Sequence, residues 1–126
     1  MAVTKYQNDL MLDAAFDYIR GLVTTMSICT TSPTTYSQAF TVNALALVTM
    51  ASTDITTTPG DTSGRKMHVG SETGLSVVTT GAAEHIALVD SDNTTLLFVT
   101  GCTTQQLTTG NTVNIPAWDD EILDVA

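Results

Sequence analysis

Positive charge is what this sequence most lacks: four lysines and arginines stand against thirteen aspartates and glutamates, for a net charge of −9. Such a chain is repelled by polyanions and by anionic bilayers, which argues against nucleic-acid binding and electrostatic membrane attachment. Charge of either sign is scarce, at 13% of residues, about half the share of an ordinary globular protein. Long apolar runs are missing too, since no stretch approaches the roughly 20 residues of a membrane-spanning helix. The opening residues are not expected to form a signal peptide, because Asn8, Asp9 and Asp13 interrupt the apolar positions. Cysteine occurs only at 29 and 102, and histidine only at 68 and 85. This spacing matches no zinc site, and without a secretory leader two buried thiols are expected in place of a disulfide.

In place of charge the sequence has threonine, 25 of its 126 residues. Threonine is stiff at χ1, suits a pleated strand, and caps turns through its hydroxyl. A surface finished with it has few long side chains to immobilise on contact, which favours lasting protein–protein packing. The length suits a single domain, residues 1–126.

The patterning predicts one helix over about 4–21. Thr4 and Gln7 are spaced as a capping box, and Leu10, Met11, Ala14, Ala15, Tyr18, Ile19 and Leu22 form an apolar stripe. Lys5, Asp9, Asp13 and Asp17 form the opposing row, and Gly21 is the expected stop. A β-rich region over about 23–118 follows. Residues 23–30 alternate, Thr31-Ser32-Pro33-Thr34-Thr35 reads as a turn, and 42–50 read as a strand in their second half. Residues 57–66 read as the longest polar loop. Strands are then expected at 66–69, 75–80, 85–89, 95–100 and 112–115, with turns at 71–74, 81–82, 90–93 and 109–111. Pro116 ends the last strand or puts it on an edge, and an acidic tail over 119–126 completes the chain. The expected architecture is an antiparallel β-sandwich or barrel with one N-terminal amphipathic helix packed on it.

No residue set demands catalysis. Glu84 falls on the opposite strand face from His85, and no Gly-x-Ser-x-Gly elbow is present. Both histidines read as structural or surface residues. Asp90-Ser91-Asp92-Asn93 starts like a calcium loop but has Thr95 and Gly101 where an EF-hand requires glycine and glutamate, so it reads as an Asx-stabilised hairpin. Gly60-Asp61-Thr62-Ser63-Gly64-Arg65-Lys66 departs from the phosphate-loop order and reads as a contact loop. Composition and expected exposure single out Pro59, Gly60, Asp61, Arg65 and Lys66 in this loop as partner contacts. Pro33 and Tyr36 in the 32–36 turn, and Trp118, Ile122 and Leu123 in the tail, complete that set.

Several stretches also carry a family likeness. Ser27-Ile28-Cys29-Thr30-Thr31-Ser32-Pro33 after a capped helix is one, and Gly60-Asp61-Thr62-Ser63-Gly64-Arg65-Lys66 is another. His85-Ile86-Ala87-Leu88-Val89-Asp90 and Gly110-Asn111-Thr112-Val113-Asn114-Ile115-Pro116-Ala117-Trp118 follow. Together they resemble small virion proteins encoded among the structural genes of tailed bacteriophages. The resemblance implies a non-enzymatic capsid decoration or cement subunit, located in the virion and partnered by the major capsid protein or another virion protein. A homo-oligomer is expected, with no cofactor, metal, small-molecule substrate, nucleic acid or membrane. A tail or tail-fibre component that binds a host surface is the alternative. The consecutive Asp119, Asp120 and Glu121 depart from the less acidic ending of that family.

Overall fold

The structure is a computed structural model and describes residues 6–124. Helix α1 spans Asp9–Leu22. Its start is set by Asn8, whose side chain accepts a hydrogen bond from the Leu10 amide at 2.8 Å and satisfies one of the donors that every helix start leaves unpaired. The helix therefore begins later than 4; Thr4 lies outside the described residues. Gly21 does not end it. The turn closes one residue further on, with the Val23 amide donating to the Ile19 carbonyl at 2.9 Å.

The buried face of α1 is not the one the stripe suggested. Leu12, Phe16 and Ile19 are buried, whereas Leu10, Met11 and Tyr18 are 78%, 56% and 61% exposed. Asp13, placed in the solvent row by its spacing, is buried. A tertiary ion pair overrides the local pattern: Arg65 Nε donates to Asp13 Oδ1 at 2.8 Å and rotates that edge of the helix inward.

Nine strands follow: β1 Thr25–Cys29, β2 Ala44–Thr49, β3 Ile55–Pro59, β4 Arg65–Val69, β5 Glu72–Ser76, β6 Gly81–Asp90, β7 Thr95–Leu107, β8 Thr112–Ile115 and β9 Trp118–Ile122. All their pairings are antiparallel. A four-stranded sheet has the order β2-β1-β6-β7, a three-stranded sheet β3-β4-β9, and β5 pairs with β8. The result is a β-sandwich with an N-terminal helix.

Strand β1 is buried over its last four residues. Met26 and Ile28 enter the main core with Phe16, Leu45, Ile55, Met67, Val69, Ile86 and Leu88. Cys29 enters a second cluster with Ala39, Ala87 and Val89. A π-helical turn, Gln38–Val42, brings in the lid of that cluster, where Tyr36 and Phe40 stack with ring centroids 5.2 Å apart. Each large side chain fully buried in such a core contributes about 1.5–3 kcal/mol.

The β6–β7 hairpin turns where expected. Asp90 Oδ1 accepts from the amides of Asp92 and Asn93 at 3.0 and 3.3 Å, and Oδ2 accepts from Asn93 Nδ2 at 2.7 Å. Other boundaries differ from the sequence reading. Ile55–Pro59 is a strand, so the expected loop over 57–66 shrinks to residues 60–64. The tail is no tail, because Trp118–Ile122 pairs with β4. Residues 71–74 make no turn; Gly74, at φ +71°, interrupts β5 as a bulge, and its amide donates to Asn114 Oδ1. The strand expected at 75–80 accordingly stops at Ser76, and residues 81–82 belong to β6. Strand β7 runs through Gly101 to Leu107. Cys29 is buried as expected, but Cys102 is exposed.

Candidate functional site

The pairing of β4 with both β3 and β9 turns two distant segments into one surface. Cross-strand register places Thr56, His68 and Asp119 in one row and Thr58, Lys66 and Glu121 in the next. Lys66 Nζ donates to Asp61 Oδ1 at 2.8 Å and lies 3.5 Å from Asp119 Oδ2. His68 Nδ1 lies 2.6 Å from Asp119 Oδ1. That hydrogen bond, assisted by the Lys66 charge, holds the Asp119 carboxyl below its ordinary pKa, while the bond to Asp61 raises the ammonium of Lys66. Asp120 shifts the other way, because partial burial disfavours its charge.

The turn between β3 and β4 is sewn to β9. The Thr62 amide donates to Glu121 Oε1 at 3.2 Å, and the Asp124 amide donates to Ser63 Oγ at 3.2 Å. Gly64 sits at φ +68°, where a Cβ would collide with the Ile122 carbonyl. Glycine is required there by both conformation and space.

The structure thus gathers Pro59, Gly60, Asp61, Lys66, Trp118, Ile122 and Leu123 on neighbouring segments. Arg65 is turned inward to Asp13, with its side chain 17% exposed, and the hydrogen bond to Asp13 raises its pKa. Pro33 is buried, and Tyr36 is half-buried against Phe40 on the far side of the four-stranded sheet. Neither joins the other predicted contacts. The acidic neighbours that Arg65 and Lys66 meet here belong to their own chain.

Thr56, His68 and Asp119 follow the hydroxyl–imidazole–carboxylate order of a hydrolytic triad. The nucleophile of such a triad bonds to its base, yet no hydrogen bond joins Thr56 to His68. The His68 side chain is 45% exposed, so nothing here desolvates a reacting group. Among the described residues, no three metal-ligating side chains of His, Cys, Asp or Glu converge, and no helix is long and apolar enough to cross a membrane.

Two features were missed by sequence reading. The first is the outer stripe of α1, where Leu10, Met11 and Tyr18 lie exposed; Tyr6, just before the helix, is 82% exposed as well. The spacing rule found this stripe but assigned it to the core. The second is a half-open cleft of about 420 Å³ between the four-stranded sheet and β8–β9. Its floor is apolar, with Ile28, Ile86, Val113, Ile115 and Trp118; Cys102, Gln105 and Asp119 also line it. Trp118 stacks on Phe98 with centroids 5.9 Å apart, and its Nε1 is buried without a hydrogen-bond partner. Such a cleft accepts an apolar group and offers no cations to a phosphate. No local motif announces it, because its walls come from five strands, β1, β6, β7, β8 and β9.

Fold and surface together define a helix-bearing β-sandwich that ties Arg20, Arg65 and Lys66 to its own acids and leaves apolar and hydroxyl groups outside. No family model, curated protein or solved structure matches the chain.

Proposed function

We propose that this chain is a non-enzymatic structural subunit of a tailed-bacteriophage virion, a decoration or cement protein that binds the capsid lattice. The observation that carries the assembly part of the reading is the exposed apolar stripe of α1. A helix on a monomeric surface normally turns such residues inward. Here Leu10, Met11 and Tyr18 face out although Leu12, Phe16 and Ile19 already anchor the helix. The short sequence stretches that resemble phage virion proteins supply the kind of assembly, with the major capsid protein as the expected partner. Binding through many modest contacts, repeated over a symmetric shell, would reinforce the shell without chemistry.

The test is the occupancy of purified particles by the parent chain and by a Met11→Glu/Tyr18→Glu double variant. Both substitutions fall at exposed positions, so the variant is expected to fold and to be lost from the particle. Parent copy number should match the capsid lattice. A count matching only the tail symmetry would favour the tail-component alternative, and absence from particles would refute both readings.

A further inference from the structure

A glycine inside a helix costs stability, and a fold explains it by a left-handed backbone or by a neighbour that leaves no room for a side chain. Gly21 meets neither condition. It lies within α1, its φ is not positive, and a Cβ built there would meet nothing within 4 Å. The helix runs past it, and the Val23 amide makes the closing bond. Nothing in this chain requires the missing side chain.

The surroundings of Gly21 have the relief of a docking surface. Gly21 and Ala14 are both exposed and lie about two turns apart on one line of the helix. Helical periodicity sets Leu10 and Asp17 along one side of that line and Met11 and Tyr18 along the other. At its C-terminal end the line opens into a shallow depression of about 550 Å³, bordered by Asp17, Arg20, Gly21, Ser52, Thr53 and Thr56. A floor of small residues between two rows of larger ones is the groove into which a second helix packs, at an axis separation of about 8–10 Å.

Charge selects the kind of helix. Among the described residues, each lysine and arginine already bonds to an acid of this chain: Arg20 to Asp17 at 3.1 Å, Arg65 to Asp13 and Lys66 to Asp61. The chain as a whole carries −9, and Asp17, in the wall of the groove, keeps its side chain 49% exposed. An acidic partner, a second copy included, would meet uncompensated like charge, whereas a basic one meets its complement.

We propose that the outer face of α1 receives an amphipathic helix of another protein, apolar where it crosses Ala14 and Gly21 and basic along the flank that meets Asp17. One side chain of that helix enters the depression beside Gly21. Resting on the reading of the α1 stripe as a contact surface, the assignment adds the shape and the charge of what covers it.

The probe is a synthetic amphipathic peptide of about 20 residues, long enough to form a helix in water, with leucine and alanine on one face and lysine on the other. A twin peptide carries glutamate in place of lysine. Fluorescence anisotropy of the labelled peptides reads binding, and urea unfolding checks the fold of each variant. The parent is expected to bind the lysine peptide about tenfold more tightly than its twin, and added salt should weaken the complex. Gly21→Ala should raise the urea midpoint, because alanine favours a helix, and still weaken binding. Gly21→Leu should weaken binding by about tenfold or more, since its side chain fills the groove where the partner comes closest. A folded Gly21→Leu variant that binds like the parent would overturn the helix docking. Met11→Ser/Tyr18→Ser then separates the two levels: binding lost there would leave the stripe a contact surface, and binding kept would overturn the stripe as well. A Gly21→Ala variant less stable than the parent would show that the chain itself needs the glycine, against the proposal. Equal binding of both peptides, binding that salt strengthens, or no binding of either would also overturn it. So would a parent that sediments as a dimer while Gly21→Leu stays monomeric, because the face would then belong to a second copy.

Discussion

Strand β9 is five residues long and bears three consecutive acids, whereas β7 is 13 residues long and bears no charge at all. Both end a sheet. On β9, Asp119 meets Lys66 and His68, and Glu121 caps the Thr62 amide. These bonds tie the edge to its own chain, and the surplus acid repels a foreign strand. On β7 the first half is part-buried beside β6, while residues 101–106 stand exposed. The scarcity of charge is therefore unevenly distributed. The short edge strand is blunted by acids, and the long one, which has none, is bulged against β6.

The largest effect tests whether both edges rest on one core. Met67 backs the β4–β9 side and Leu88 the β6–β7 side, and both are fully buried in the same cluster. Met67→Ala and Leu88→Ala are each expected to cost about 2–5 kcal/mol in urea unfolding. Coincident single transitions would keep the two edges in one cooperative unit; a variant that melts only its own sheet would separate them.

A smaller effect sharpens the account of β9. Asp119→Asn removes a partner of Lys66 and His68 and should lower stability at pH 7 by about 0.2–1 kcal/mol, the range of exposed ion pairs. Asp120→Asn should shift stability upward, since partial burial penalises that charge. The folded pKa of Asp119 lies below its ordinary 3.8. Its contribution is thus complete above pH of about 4 and is lost as pH falls through the lowered value. Urea midpoints of parent and Asp119→Asn should differ at pH 7 and converge in strong acid. Two neighbouring substitutions of the same sign would break this description of the edge.

The smallest effect is a rate. In the native chain, a thiol reagent should modify Cys102, which is exposed, and spare Cys29, which is buried until unfolding. Partial burial and nearby Glu84 push the Cys102 thiol up, so its reaction should accelerate as pH rises. Equal labelling of the two thiols in the native chain would contradict the burial of Cys29.

Much of the fold was legible because its signals are local. Asp90 to Asn93 formed the expected hairpin, β8 matches its expected limits of 112–115, and the helix-then-sandwich order holds. What misled was tertiary. Spacing alone put Asp13 in solvent, but Arg65, far along the chain, buries it. Gly101 looked like the end of a strand, yet β7 continues through it and bulges against β6. Acids at 119–121 looked like a loose tail, because a single acidic edge strand has no signature until its partner is known. Of the residues expected to share a surface, the 59–66 and 118–123 segments adjoin through β4 and β9, while Pro33 is buried elsewhere, a separation no local pattern reveals.

The placement of β1 has a kinetic consequence. Thr25 pairs with Thr49 on one side and with Val89 on the other, so the central strand of the larger sheet waits for residues made much later in synthesis. Closing loops of that span costs entropy before the contacts return any. Folding is therefore expected on the order of milliseconds to seconds, the pace of nonlocal β-proteins. During that interval the Thr25–Cys29 segment lacks its later neighbour, and its backbone is most vulnerable to a wrong partner.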